Sequence, residues 1–377
     1  MALMKDGLGK PAILRIATGL QHVFPLFDSE AFIDEAERAV VDLALKERVD
    51  RLIVLMHHYL SQPFEDVAVG LMALPEHWDF GDSEDPLRGF AAWPVIDYVA
   101  HYGLEQPELS LNVLKVLTHL FSAEFAIRPF ILQYPALCHG FFLQWIKDDS
   151  EHVRRLVSEG TRPRLPWGKK LQPYIDDPQD NLVLLSTLCT DSSLYVRRSV
   201  ANHLNDIAKD HPEWVIDVCL VWQRNHHPLS EWVIKHGTRT LVKQGHPAVF
   251  QLLGYSQTVN LSHASLTLKT PRIALGDTLE FECELLTSVQ TEQKYVIDYQ
   301  IDFVKANGKT RAKVFKLKNI TLPASVALTV TKTFSFKAIT TRRYYPGVHR
   351  LSILVNGMNV ASKPFMLSQT QQEQDVR

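Results

Sequence analysis

Two segments, EHVRRLVSEGTR (residues 151–162) and LYVRRSVANHLND (residues 194–206), lie 43 positions apart and align on a shared Val-Arg-Arg. A third, EWVIKHGTRTLVKQ (231–244), follows the pattern more loosely. Outside them, PALCHGFFLQWIKD (135–148) returns 77 positions later as PEWVIDVCLVWQRN (212–225), each with a Trp shortly before a charged turn. Periods near 40 residues are those of HEAT-like helix pairs. One pair cannot bury its apolar face alone, so successive pairs stack into a solenoid. In the 194–206 segment Val196, Val200, Leu204 and Ile207 form the buried stripe, and Asp191 is placed to cap the helix. Arg198, Asn202 and Asp206 follow at four-residue steps and are expected to project together. In the 151–162 segment Val153 and Val157 point inward, while Arg155, Glu159 and Arg162 share the other face, with Glu159 in the register of Asn202. Two neighbouring helices are thus expected to present arginines and carboxylates towards one groove.

The helical pattern extends from Ser29 to about Gly254, with apolar residues at three and four spacing such as Ala36, Val40 and Leu43, and with breaks at Pro63, Pro75, Pro107, Pro135, Pro212 and Pro247. After Tyr255 the texture changes to short runs rich in Ser, Thr, Val and Ile: LSHASLTLKT, DTLEFECELL, KYVIDYQIDFV and HRLSILVNG. Asn307-Gly308 and Asn356-Gly357 each sit between such runs and predict hairpins. About seven strands suggest an immunoglobulin-like sandwich, without the antibody disulfide because only Cys283 falls in this stretch. The expected fold is mainly α: a HEAT-like helical-repeat solenoid over residues 1–256, then an all-β immunoglobulin-like sandwich over 257–377 whose tail, TQQEQDVR, is expected to be disordered.

A chain of 377 residues with 46% hydrophobic content can build a core in each of two domains. The apolar stretch 129–146 contains Pro129, Gln133, Pro135, His139 and Gln144, which disfavours a membrane span, and Lys5, Asp6, Lys10 and Arg15 interrupt any secretory signal. Cys138, Cys189, Cys219 and Cys283 show no paired spacing, so neither a zinc site nor a disulfide framework is expected, and a reducing cytoplasm fits. His57-His58 and His226-His227 lack a third ligand at metal spacing and read as structural; Trp145, Trp214, Trp222 and Trp232 read as core. The net charge of -2 conceals an asymmetry: residues 258–377 hold 16 Lys and Arg against 9 Asp and Glu, leaving 24 against 33 before them. An acidic first part binds a polyanion only through local clusters. The densest is 152–170, where Arg154, Arg155, Arg162, Arg164, Lys169 and Lys170 surround Trp167, a combination suited to a phosphate backbone with a base or sugar nearby. Arg197, Arg198, Arg239 and Lys243 extend it, and a solvated helix face is the alternative. In the β region Lys313, Lys316, Lys318, Arg342, Arg343 and Arg350 suggest a second DNA contact, against the alternative of a basic solubilising module.

DSEHVRRLVSEGTRPRLPWGKKLQP (149–173) and DSSLYVRRSVANHLNDIAKDHPEWV (191–215) resemble the signature segments of the DNA alkylation repair proteins. The long form with TRPRLPW is similar to the AlkC branch of the AlkC/AlkD HEAT-like repeat DNA glycosylases, some members of which append a β-sandwich. The resemblance runs across most of residues 4–256. It implies a DNA-3-methyladenine-type DNA glycosylase that excises cationic N-alkylated bases, chiefly 3-methyladenine and 3-methylcytosine, from double-stranded DNA by hydrolysis of the N-glycosidic bond, without flipping the base. Such a base leaves readily, and the barrier lies in an oxocarbenium-like sugar that fixed carboxylates stabilise. The candidate catalytic residues are Glu159 and Asp206, the acidic members of the matching segments, with Glu124 of SAEFAIRPF as the third. Candidate DNA-binding residues are Arg155, Arg162, Arg164, Trp167, Arg198, Asn202, Arg239 and Lys243. Within the helix, Glu159 could instead only pair with Arg155 or Arg162, Asp206 with Lys209, and the SAEF segment could be a capping turn. No metal and no cofactor are expected. The expected partner is DNA containing alkylated bases, with no membrane, for a monomer in the bacterial cytoplasm, nucleoid-associated through DNA. The competing reading is a non-catalytic HEAT-repeat scaffold that binds DNA or a protein partner.

Overall fold

The computed structural model describes residues 3–256, 258–323, 326–340 and 342–369, so the expected disordered tail lies outside the described residues. The first half holds α1 (Lys10–Val23), α2 (Ser29–Val40), α3 (Leu45–Leu60), α4 (Phe64–Ala73), α5 (Trp93–Tyr102), α6 (Pro107–Leu117), α7 (Ile127–Gln133) and α8 (Pro135–Trp145). It continues with α9 (Glu151–Gly160), α10 (Gln172–Asp176), α11 (Leu182–Leu188), α12 (Leu194–Ile207), α13 (Pro212–Gln223), α14 (Pro228–Gly237), α15 (Arg239–Gln244) and α16 (Pro247–Leu252). Proline stands in the first turn of α1, α5, α6, α8 and α10, where its missing N–H costs nothing. Four of the six predicted breaks, Pro107, Pro135, Pro212 and Pro247, thus open helices, and a fifth, Pro63, is the cap residue before α4. Helices pack on near neighbours in sequence, among them α1 on α2, α2 on α3, α3 on α5, and α12 on both α9 and α14.

Among the described residues eight strands follow: β1 (Leu261–Leu268), β2 (Arg272–Ala274), β3 (Thr278–Thr287), β4 (Gln293–Val304), β5 (Thr310–Leu322), β6 (Ala327–Ser335), β7 (Gly347–Val355) and β8 (Met358–Ser368). They form a three-stranded sheet, β1-β3-β6, and a five-stranded sheet, β2-β8-β7-β4-β5, antiparallel except where β2 runs parallel to β8. Both Asn-Gly pairs close hairpins. Gly308 (φ 74°) turns β4 into β5, and Asn356 and Gly357 (φ 47° and 78°) turn β7 into β8. The interior is aromatic: Phe281, Tyr299, Phe303, Phe336 and Phe365 meet there at centroid distances of 5–6 Å with Cys283 buried among apolar neighbours. This packing stands where a disulfide would otherwise staple the sheets.

By its contacts the chain divides into two compact units: Met1–His211 with Val221–Gly237, and Pro212–Leu220 with Thr238–Arg377. Helices α15 and α16 group with the strands, a division that differs from the compositional change at 256/257. Within the second unit Asn356 Nδ2 donates to Ser256 O (2.8 Å), and Asn356 Oδ1 accepts from Val296 N (2.8 Å). Gly245, the left-handed residue ending α15, lies directly against Gly357: a Cβ on Gly357 would stand 2.3 Å from the Gly245 Cα. No side chain fits there, and both positions have φ above 70°.

Candidate active site

Helix α9 forms because Val153, Leu156 and Val157 repeat on one face, and all three are buried. Its last residue, Gly160, permits close approach to α7, since a Cβ there would meet Ile127 Cγ2 at 2.7 Å. From α7 the fully buried Arg128 grips the end of α9 and the segment beyond it: Nη1 donates to Gly160 O (2.8 Å) and Arg162 O (2.9 Å), and Nε donates to Lys169 O (2.6 Å). Burial, then the neighbouring Arg162, push its pKa down to about 10, so it remains a cation. On α12 the stripe Val196, Val200, Leu204 and Ile207 is buried as expected. The cap of this helix is Ser193, which accepts from Tyr195 N, whereas Asp191 accepts from Ser193 N and binds Arg154 (2.6 Å). A residue two positions before the cap cannot reach the first free amides and instead closes the preceding turn, which corrects the capping role expected of Asp191.

The three candidate carboxylates come together. Glu159 Oε1 is 2.5 Å from Arg162 Nη1 and 3.7 Å from Arg155 Nη2, and Ser199 Oγ donates to its Oε2 (2.6 Å). Arg162 Nε donates to Asp206 Oδ2 (2.8 Å), and Lys209 Nζ holds Asp206 Oδ1 (2.8 Å). Arg155 Nη1 contacts Glu124 Oε2 (2.8 Å) and donates to Ser122 Oγ (2.6 Å), with its guanidinium 4.8 Å from the Tyr195 ring centroid. Burial works against the charges of Arg155 and Arg162, but the carboxylates overcome it and hold both pKa values above the ordinary one. The helix-local pairs are therefore real, and they are also links in a network joining α9, α12 and the segment before α7. Glu159 and Asp206 are 5% and 2% exposed, and pairing with arginine and lysine offsets the cost of burying them. Beneath them His203 is fully buried, its Nδ1 donating to Ser158 O (3.0 Å); burial and Arg162 push it down to about 3, so it is neutral.

The expectation that Arg198, Asn202 and Asp206 project together does not hold: Arg198 is exposed, Asn202 half-buried and Asp206 buried. Four residues turn a helix by about 40° beyond a full revolution, so two such steps carry Asp206 round to the α9 side. Of the other candidates, Arg164 is bidentate to Asp210 (2.8 and 2.8 Å), Trp167 is 52% exposed, and Arg239 and Lys243 are exposed on α15. Trp145 and Trp222 are core, whereas Trp214 and Trp232 are half-buried, Trp232 stacking on His236 (3.9 Å) one turn away. His57 stacks on Tyr102 (3.7 Å) and bonds Tyr98. Among the described residues no group of three or more His, Cys, Asp or Glu could hold a metal ion, and no helix is long and apolar enough to cross a membrane. Sequence reasoning missed Arg128, Ser199 and His203, whereas the pairing of Asp206 with Lys209 was among its expectations. The signal for Ser199 and His203 is polar residues at stripe-adjacent positions of a buried helix; nothing in the linear pattern marks Arg128. The second unit carries a separate basic cleft of about 770 Å³ lined by Lys305, Arg311, Lys313, Arg342 and Arg343.

The solved structure of the Pseudomonas fluorescens alkylpurine DNA glycosylase AlkC, bound to DNA containing an abasic site analog, superposes with a TM-score of 0.89 at 36% identity, covering 97% of this chain and 99% of that one. The chain belongs to the AlkC branch of the DNA alkylation repair proteins. A second relative, the uncharacterized protein YhaZ of Bacillus subtilis (strain 168), is 36% identical over 358 residues, 95% of this chain and 97% of that protein. A family model described as the C-terminal Ig-like domain of the uncharacterised protein YhaZ matches residues 262–369. AlkC membership thus extends over both the repeats and the sandwich.

Proposed function

We propose that this AlkC-family chain is a DNA glycosylase that removes cationic N-alkylated bases, 3-methyladenine and 3-methylcytosine, from double-stranded DNA. The observation that carries the reading is the carboxylate cluster: Glu124, Glu159 and Asp206, far apart in sequence, are fixed around two arginines in a chain 36% identical to a glycosylase along its whole length. In the reaction the C1′–N bond breaks and its electron pair leaves with the base, cancelling the base's positive charge. A water oxygen bonds to C1′, and its proton passes to a carboxylate.

Asp206 has both oxygens held, by Arg162 Nε and Lys209 Nζ, which fixes its position and suits it to face the sugar as a negative charge. Glu159 Oε2 meets only the rotatable Ser199 hydroxyl and suits the base that orients and deprotonates water. Glu124, with 15% of its side chain exposed against 6% and 3% for the other two, is the carboxylate nearest solvent and supplies further charge to the sugar. A carboxylate about 4 Å from the oxocarbenium contributes on the order of 4 kcal/mol at an effective dielectric near 20, roughly a thousandfold in rate. Arg155, Arg162 and Arg164 are committed to carboxylates here, so phosphate binding by them requires an exchange of partners. Arg198, Trp167 and the basic cleft of the sandwich offer the DNA contacts, and the base stays in the stack.

The test is single-turnover release of 3-methyladenine from methylated DNA by the wild type, Glu159→Gln and Asp206→Asn, with DNA affinity measured alongside. Each variant is expected to lose about 100-fold or more in rate with binding retained. Absence of release by the wild type would overturn the reading in favour of a binding scaffold.

A further inference from the structure

Trp167 occupies a backbone position that resists it. Gly168 N donates to Leu165 O (3.2 Å), which places Pro166 and Trp167 at the two centres of a tight turn, and Trp167 has φ of +66°. This is the arrangement of a type II turn, whose third residue is ordinarily Gly or Asn; a bulky aromatic there is strained by about 1–3 kcal/mol and persists only when its surroundings hold it. The surroundings do so from two sides. Arg128 anchors Lys169 O just beyond the turn, and Leu171 N closes the loop on Pro163 O (3.1 Å). From the first turn of α3, 121 positions away in the chain, Lys46 Nζ donates to the carbonyl oxygen of Trp167 itself (2.6 Å).

The same ammonium lies 6.0 Å from the centroid of Phe125, the neighbour of Glu124. Phe125 stacks on Trp93 (5.2 Å), whose Nε1 donates to Asp97 Oδ2 (2.8 Å). Burial pushes Asp97 up to about 7, against the pull of the Trp93 bond and the charge of Lys46. Lys46 is therefore placed by an aromatic face and one carbonyl, and that carbonyl belongs to the strained residue.

We infer that Lys46 is a positioning residue for Trp167: its bond to the Trp167 carbonyl holds the turn that presents the indole to DNA. The inference rests on the reading of Trp167 as a DNA contact, and its test separates the two. DNA affinity and single-turnover excision are measured for Lys46→Met, Lys46→Arg, Trp167→Ala and the double variant Lys46→Met/Trp167→Ala. Lys46→Met is expected to weaken binding about 3- to 10-fold, the size of one lost hydrogen bond, with Lys46→Arg restoring most of it. The double variant is expected to match Trp167→Ala alone, because a residue acting through another adds nothing once that other is gone. Additive losses would overturn the proposal and make Lys46 a direct phosphate contact.

A second measurement uses no DNA. In protein labelled with 5-fluorotryptophan, the 19F resonance that disappears in Trp167→Phe is expected to shift in Lys46→Met while those of the other six tryptophans stay in place. An unmoved resonance overturns the tether. If Trp167→Ala binds DNA like the wild type, the DNA-contact reading of Trp167 falls, and the fluorine spectrum still decides whether Lys46 holds the turn.

Discussion

Arg162 binds Glu159 with one nitrogen and Asp206 with another, so one guanidinium holds the two carboxylates at a fixed separation. His203 sits below them as a neutral ring, and this has a pH consequence. Its pKa in the folded chain, about 3, lies below the unfolded value of 6.5. The stability it contributes is complete above pH 6.5 and declines as the pH falls towards 3, because the unfolded chain takes up a proton that the native site refuses. Urea unfolding at steps from pH 7.5 to 4.5 should show His203→Gln less stable than the wild type by about 1 kcal/mol at pH 7.5 and flatter with pH below 6.5. Parallel losses in both proteins would remove His203 from the account. Glu159 and Asp206 were legible as the acidic members of two matching segments, whereas Glu124 lies outside both. Arg128 was not, since its three partners are backbone carbonyls, and carbonyls carry no residue identity to read.

The helices that carry the site were legible as helices from their apolar stripes, and α9 and α12 were legible as neighbours from their common pattern. The direction of the polar face was not. A four-residue repeat drifts around a helix, so Arg198 and Asp206 share a sequence rhythm without sharing an environment. Asp191 failed as a cap for a related reason, because Ser193 was equally compatible with the spacing and stood closer to the first free amides. The approach of α7 to α9 depends on Gly160, which composition alone reads as an ordinary helix end. Gly160→Ala should therefore destabilise the chain by about 1–2 kcal/mol even though alanine favours helix, because Ile127 Cγ2 is attached at a branched carbon and cannot swing away. Thermal unfolding checks this; an unchanged or raised midpoint would show that α7 and α9 can separate at no cost.

Across the molecule the charge is divided unevenly, and the basic share falls in the strands. Lys313, whose pKa is lowered by burial and then by Arg342, Lys243 and Arg311, stands in a cleft where cations crowd without matching acids. Such crowding is relieved by a polyanion. Lys313→Ala with Arg342→Ala should lower the slope of log affinity against log salt by about 2, close to one per lost phosphate contact, with excision at saturating DNA retained. An unchanged slope would leave the sandwich as a solubilising module. The sandwich itself was legible from its hairpin turns and strand texture, whereas the grouping of α15 and α16 with it was not, because two short helices look alike whichever core they serve. The contact of Gly245 with Gly357 bears on how such chains can be rebuilt over evolutionary time. Each glycine leaves no room for a side chain on the other, so a substitution at either position opens the contact. A recombination event that joined this sandwich to another array at the change in texture near residue 256 would sever the pair, whereas one that crossed over before α15 would carry both halves and keep the seam intact.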